Sequence, residues 1–326
     1  MNEIKWGIIG CGDVTEIKSG PAFNKIANSS LVAVMRRDAA KAADYALRHS
    51  VAKWYSNAID LLNDPEVNAI YIATPPLQHE AYTIMALQAG KPVYVEKPMA
   101  VSAAAARKMQ EVSEKCGVKL SIAHYRRAQP KFLKIKQLLE DKAIGDVRFV
   151  SLQMLQPPNT KLIAASVTNW RLDPAISGGG LFHDLAPHQL DLMIYFFGEP
   201  VSASGISVNQ SQTSKADDLV TGQILFKNDI LFTGTWCFTV SAQDSTDRCE
   251  ILGTHGKISF AVFTDQLNLT INGKTEDFRF DPIPHVEQPM IEKVTEFFLG
   301  HGTNPCSAEQ AILSMQLMDD FCQPLQ

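Results

Sequence analysis

Through residues 1–122, short apolar runs alternate with stretches whose apolar positions recur at helical spacing. The runs cover residues 6–9, 31–35, 69–73, 93–95 and 119–123. Apolar runs this short, bounded by turn residues, read as buried strands. Between them, Asp38 is placed to cap one helix and Ser56 another that closes by Leu62. Ala81, Ile84, Met85 and Leu87 mark the apolar face of a third helix, stopped at Gly90, and a fourth is expected over 102–116 with Gly117 as its stop. Strand alternating with helix requires a parallel sheet with right-handed crossovers.

From residue 123 the pattern changes. An amphipathic helix over 130–141 leads to a strand over 147–155, an irregular stretch over 156–177 and a helix over 181–197. Strands then follow closely, over 219–226, 230–238, 248–252, 257–262, 267–271 and 277–280, with turns at Asn228-Asp229, 253–256 and Asn272-Gly273. Connections this short require antiparallel pairing. One face of that sheet is expected against the 181–197 helix, the other solvated or paired with another subunit. Trp236, Phe238 and Phe260 serve either as its core or as an oligomer contact, and a last helix is expected over 307–321. The fold class is α/β: a doubly wound parallel sheet of Rossmann type in residues 1–122, then an α+β domain in 123–326 with a large, open, mostly antiparallel sheet.

Composition narrows the partners. The 326 residues exceed one typical core, and 45% hydrophobic residues suffice to fill two. A net charge of -5, with no basic run longer than Arg36-Arg37 or Arg126-Arg127, argues against nucleic acid and for a small-molecule partner. The six cysteines show no CxxC pair, so neither a zinc site nor a disulfide framework is indicated, and they suit a reducing cytoplasm. Nowhere do enough apolar residues run together to cross a membrane, and no export signal precedes the first strand; a soluble, cytoplasmic protein is expected.

The run at 93–95 delivers Glu96, Lys97 and Pro98 to a strand end, and open parallel sheets bind ligands outside the carboxyl ends of their strands. Lys97 is read as a reactive amine, against the alternative of a solvated loop lysine. At the end of the first run stand Gly10, Cys11, Gly12, Asp13, Val14 and Thr15, two glycines where a tight turn must let backbone approach a pyrophosphate. Thr15 occupies the position of the pattern's third glycine, and Gly20-Pro21 shortens the helix that follows. After the second strand, where an acid would hold an adenosine ribose, stand Arg36 and Arg37. Their guanidinium forks match a 2'-phosphate and favour NADP over NAD, unless they lie on a solvated turn. Thr74, Pro75 and His79 fall on the same sheet edge; His79 is either a cofactor contact or a packed, capping imidazole.

The second half carries Gly178-Gly179-Gly180, then Asp184, His188 and Asp191 on one helical face. A carboxylate one turn from an imidazole makes an acid/base pair. Two other readings stand beside it: Asp184 as an N-cap with His188 in the core, or His183, Asp184, His188 and Asp191 as metal ligands. Pro187 means that the helix either starts late or kinks. The 156–177 stretch, carrying Trp170 and Arg171, is read as a segment covering the site.

Taken in order, Gly10-Cys11-Gly12, Thr74-Pro75, Glu96-Lys97-Pro98 and the segment 178–191 resemble the Gfo/Idh/MocA family of glucose-fructose oxidoreductases, inositol dehydrogenases and rhizopine-catabolism enzymes. The resemblance covers nearly the whole chain, with Thr15 and Pro187 as departures. It implies a Rossmann domain followed by a domain whose open sheet mediates a homodimer or homotetramer. It implies Lys97 as the catalytic lysine, with Asp184 and His188 as the family's acid and histidine, and no metal. The expected reaction is reversible hydride transfer between NADP, or NAD, and the carbinol carbon of a sugar, polyol or related hydroxy compound. Glu96 would orient Lys97 or meet the nicotinamide ribose, and Arg126, Trp170 and Arg171 would contact substrate or nicotinamide. Rival readings are a glycosidase-type enzyme that oxidises a sugar transiently on held NAD, a non-catalytic cofactor-sensing regulator, and a structural protein.

Overall fold

The computed structural model describes residues 2–163 and 169–323. The chain divides into two compact units, Met1–Gln129 with Ile283–Ile312, and Pro130–Pro282 with Leu313–Gln326. The first unit thus takes back a segment from late in the chain, which a single cut near residue 122 does not anticipate.

The first unit contains β1 (Ile4–Ile9), β2 (Ser29–Met35), β3 (Lys53–Tyr55), β4 (Ala69–Ile72), β5 (Val93–Val95) and β6 (Leu120–Ile122). They pair in parallel in the order β3-β2-β1-β4-β5-β6. Strand order reverses between β1 and β4, which opens a crevice at their carboxyl ends. The hydrophobic pattern omits β3 because none of its three residues is buried and it lies at the sheet edge.

The helices of this unit start and stop largely where their caps stand. α1 (Asp13–Ile17) is cut short, and a 3-10 turn, Gly20–Lys25, follows. α2 (Ala39–Arg48) begins at Asp38, whose carboxylate accepts from the Lys41 N–H at 3.1 Å. α3 (Ala58–Leu62) is capped by Asn57, not Ser56: the Asn57 side chain accepts from the Ile59 N–H at 2.9 Å. α4 (His79–Gln88) buries His79, Thr83, Ala86 and Leu87 and leaves Ala81 exposed. Its buried stripe begins with two polar residues, so apolar spacing alone rotates the face by a residue or two. α5 (Ala103–Cys116) runs from the Ser102 cap to Gly117 in left-handed conformation at φ 63°.

In the second unit, α6 (Pro130–Glu140) precedes β7 (Val147–Leu155); α7 (Pro174–Ser177) and α8 (Gly180–Phe197) follow. Then come β8 (Pro200–Val208), β9 (Leu219–Phe226), β10 (Leu231–Cys237), β11 (Thr246–Gly253), β12 (Gly256–Phe260), β13 (Leu267–Ile271) and β14 (Lys274–Phe278). The sheet order is β14-β13-β12-β11-β7-β10-β9-β8. All pairs are antiparallel except β7 with β10, whose long intervening connection removes the hairpin constraint. Asn228-Asp229 and Asn272-Gly273 turn with positive φ at both residues, as two-residue hairpins require. β8 is the strand that the pattern missed: Ser202, Ser204, Gly205 and Ser207 dilute its apolar positions, and it lies at the edge.

One sheet face packs against α8. Trp236 donates its indole N–H to Gln189 Oε1 at 2.7 Å, and its ring meets Phe182 edge-on at 5.2 Å. Trp236, Phe238 and Phe260 are all buried within the unit, so they are core and not an oligomer surface. Burial of each large aromatic contributes about 2–3 kcal/mol.

The returning segment adds α9 (Gln288–Leu299), whose Phe298 lies 5.6 Å from Trp6 of β1. α10 (Ala308–Phe321) closes the described chain. Among the described residues no helix is long and apolar enough to cross a membrane.

Candidate functional site

In the first unit, the carboxyl ends of β1, β2, β4 and β5 bring most of the expected cofactor residues together. Gly10 turns at φ +96°, and a Cβ there would meet Thr74 N at 2.8 Å, so only glycine lets the loop pass the end of β4. Cys11 points inward: burial pushes its thiol up to about 11, which makes it an inert filler. Gly12 caps α1, and a Cβ on it would meet nothing nearer than Gly10 O at 3.9 Å. Asp13 is exposed and Val14 half-buried at the start of α1.

Thr15, the departure from the glycine pattern, is absorbed locally. Its hydroxyl donates to Gly12 O at 2.8 Å, and its carbonyl accepts from the Tyr45 hydroxyl of α2 at 2.8 Å.

Arg36 is half-buried and donates from Nη1 to Cys11 O at 3.2 Å, which holds the guanidinium beside the glycine loop. Arg37 is exposed. Thr74 and Pro75 are half-buried, and Thr74 Oγ1 is buried with no hydrogen-bond partner among the described residues.

A dinucleotide fits these residues. The room at Gly12 and the buried Thr74 hydroxyl suit a pyrophosphate, and Arg36 stands at the end of β2 where the adenosine side of a dinucleotide would lie. Gly10, Gly12, Asp13 and Val14 would hold the phosphates through backbone.

His79 has a different role from a cofactor contact. It is fully buried, with Nδ1 2.9 Å from Pro98 O and Nε2 2.7 Å from Thr74 O. It ties the turn after β4 to the turn after β5, and burial lowers its proton affinity. Lys97 is half-buried at the end of β5, between buried Glu96 and the braced Pro98. Glu96 accepts from the Tyr71 hydroxyl at 2.6 Å. Arg126 is 9% exposed in the Tyr125–Ala128 turn, with its guanidinium 5.5 Å from the Tyr125 ring.

In the second unit the site residues centre on α8. Asp173 caps α7 by accepting from Ala175 N–H at 3.1 Å, and Ser177 Oγ accepts from Gly180 N–H at 2.9 Å. Ser177 thus satisfies a first-turn donor of α8, a role that no spacing pattern singled out.

α8 runs from Gly180 to Phe197 with Pro187 inside it, so of the two expectations, a late start or a kink, the late start does not hold. Asp184 is therefore the fifth residue of the helix and no N-cap. His188, one turn on, is buried, with its ring edge-on to Phe263 at 5.6 Å. Asp191 is also buried.

Arg171 Nε donates to Asp184 Oδ2 at 2.9 Å, and its guanidinium lies 4.4 Å from the Trp170 ring. The structure thus gives Arg171 and Trp170 a task inside the protein: they hold the Asp184 carboxylate in place. The covering role read for residues 156–177 falls partly on 164–168, which lie outside the described residues.

The comparisons with known proteins agree with this fold. The family described as "Oxidoreductase family, NAD-binding Rossmann fold" matches residues 4–124, and "GFO/IDH/MocA C-terminal domain" matches residues 132–259. The chain is 48% identical over 321 residues to Oxidoreductase P35 of Formosa agariphila, covering 98% of this chain and 99% of that one. It is 28% identical over 286 residues to the trans-1,2-dihydrobenzene-1,2-diol dehydrogenase of Bos taurus, covering 87% and 82% of the two. Its fold matches a levoglucosan dehydrogenase in complex with NADH and levoglucosan, with a TM-score of 0.85 at 21% identity over 98% of this chain and 96% of that one. With the crevice at Gly12, Lys97 at the end of β5 and both halves matched, the chain belongs to the Gfo/Idh/MocA family of NAD-binding oxidoreductases.

Proposed function

We propose that this oxidoreductase transfers a hydride between a nicotinamide cofactor, NADP in preference to NAD, and the carbinol carbon of a sugar, polyol or related hydroxy compound. The observation that carries this reading is Lys97, half-buried at the carboxyl end of β5, on the sheet edge that holds the open Gly12 turn. Relatives named as a diol dehydrogenase and as a 1,5-anhydro-D-fructose reductase support the substrate class. The cofactor, when bound, supplies the hydride acceptor or donor.

The chain's own groups do the rest. Lys97 donates to the carbinol oxygen and stabilises the alkoxide that develops there. Either Lys97 or His188 takes the hydroxyl proton, with Asp184, fixed by Arg171, acting beside His188. Arg36 pairs with a 2'-phosphate, because a guanidinium fork matches phosphate geometry. We also infer an oligomer formed through the outward face of the eight-stranded sheet, which presents Thr246, Arg248, Glu250, Lys257, Ser259 and Asn268 around a depression of about 620 Å³. Six free thiols suit a reducing cytoplasm.

The test is a parallel titration of cofactor-free protein with NADPH and NADH, followed by nicotinamide fluorescence and calorimetry. NADPH is expected to bind more tightly, and Arg36→Ala to weaken it roughly ten- to a hundredfold with NADH little changed. Lys97→Met is expected to lower turnover of sugars, polyols or dihydrodiols by about 10²–10⁴ with cofactor affinity retained. Net reduction of free cofactor separates this reaction from transient oxidation on a held dinucleotide. Binding of neither form would overturn the proposal.

A further inference from the structure

Behind Lys97 the first unit buries two carboxyl groups together. Glu96, from the end of β5, is 5% exposed, and Glu287, from the residue before α9, is 0% exposed. Tyr71 of β4 stands between them, its hydroxyl 2.6 Å from Glu96 Oε1 and 3.2 Å from Glu287 Oε2. The walls are aromatic: Tyr71 stacks on Tyr94 at 5.3 Å and meets Phe23 at 5.2 Å. Lys18, Tyr94 and Lys97 are the other titratable groups that act on the pair. The Glu287 N–H donates to Lys18 O at 3.3 Å, which anchors the returning segment here.

Two carboxylates cannot both be ionised in such a place. Geometry decides which keeps the proton. A tyrosine hydroxyl has one hydrogen, and the shorter contact has the length of a charge-assisted bond, so Tyr71 donates to an ionised Glu96. The Tyr71 oxygen is then left as an acceptor toward Glu287, and the Glu287 carboxyl also hydrogen-bonds the Glu96 side chain directly; on either contact Glu287 supplies the hydrogen and is the neutral acid. Burial first, and then the Glu96 charge, push Glu287 well above the usual carboxyl range, in line with this assignment.

We propose that Glu287 is a positioning residue for Lys97: a neutral acid that, through Tyr71, keeps Glu96 a carboxylate and so holds one negative charge behind the Lys97 amine. The inference rests on the reading of Lys97 as the reacting amine only for its consequence in the reaction. Its physical content is testable without cofactor or substrate.

The experiment is acetylation of the whole protein by acetic anhydride at about pH 7.5, with Lys97 followed by peptide mass spectrometry and the exposed Lys108 as internal reference. Loss of the charge behind an amine releases its proton more readily. Tyr71→Phe, nearly isosteric, is expected to raise the Lys97 rate on the order of tenfold, and Glu287→Leu severalfold. Glu287→Gln, neutral and still able to donate, is expected to leave it as in the parent. Unchanged rates in folded Tyr71→Phe and Glu287→Leu overturn the proposal, as does a Glu287→Gln rate as high as that of Tyr71→Phe. Should hydride transfer fail while these rates move as stated, the function is wrong and the positioning role stands. Where transfer is present, the same two variants shift the pH profile of turnover and the glutamine variant restores it.

Discussion

The chain carries two glycine clusters, and Gly12 of the first does the opposite of Gly179 and Gly180 in the second. At Gly12 the missing side chain leaves room that the protein does not use: a Cβ there would meet nothing nearer than Gly10 O at 3.9 Å, whereas one on Gly10 would already strike Thr74 N at 2.8 Å. At Gly179 and Gly180 the room is already taken. A Cβ on Gly179 would sit 2.2 Å from the His183 ring, and one on Gly180 would sit 2.4 Å from Ala216 Cβ. Both clusters read in sequence as backbone that approaches something closely. At Gly10, Gly179 and Gly180 that something is the chain itself; at Gly12 the chain leaves the place open. A glycine turn is therefore evidence for a ligand only where the vacated volume stays empty.

The largest expected effect tests the filled cluster. Gly179→Ala must displace an imidazole buried at the start of α8, so its urea midpoint is expected to fall by an amount equal to roughly 3–4 kcal/mol. Shrinking the obstacle in the same chain, with His183→Ala, should return part of that loss, so the two substitutions are non-additive. Strict additivity would show that the ring and the glycine are not in contact and would remove the contrast.

The same contrast marks how far the residues could be read in advance. The strand ends, the glycine loop and Glu96-Lys97-Pro98 were legible because each is a local run with its own signature of period, turn or charge. So was the mostly antiparallel second sheet, through Asn228-Asp229 and Asn272-Gly273. β3 and β8 were not, since edge strands with half-exposed residues lack an apolar period. The hydrogen-bond partners of His79, Arg171 and Glu287 were not legible for a different reason. Their partners, Pro98, Asp184 and Tyr71, lie 19, 13 and 216 residues away, and pairing beyond a turn or two of chain leaves no local pattern. Thr15 and Pro187 looked like defects because a motif states which residue is usual, not what neighbours can accommodate. Tyr45 completes the first, and α8 runs through the second.

A second prediction follows from what fills the triple-glycine turn. Burial holds the His183 imidazole neutral and lowers its pKa to about 4, only partly offset by Gly179 and Asp217. In the unfolded chain the ring takes a proton near its ordinary 6.5. Between those values the unfolded state binds more protons, so stability rises with pH there and is lost as pH falls. The contribution is fully present above about pH 6.5, and roughly 2–3 kcal/mol of it should be gone at about pH 4.5. Urea melts of the parent and of His183→Gln across that window measure it. The glutamine variant should show a flatter dependence, and parallel curves would place the sensitivity on other groups.

The smallest expected effect on the fold is the most informative about function. Gly12 has φ −142°, an extended conformation that any residue adopts, and its Cβ would touch nothing closer than 3.9 Å. Gly12→Ala is therefore expected to unfold within about 0.5 kcal/mol of the parent. A methyl group there nonetheless stands where a pyrophosphate would approach the loop, so dinucleotide affinity should drop about tenfold or more, equal to about 1.4 kcal/mol. Stability kept with affinity lost is the signature of volume reserved for a ligand, the reverse of what Gly179→Ala should show. If Gly12→Ala binds NADPH and NADH as the parent does, the open turn is not the phosphate site. If it unfolds as Gly179→Ala does, the space at Gly12 is occupied by protein, and the two clusters are alike.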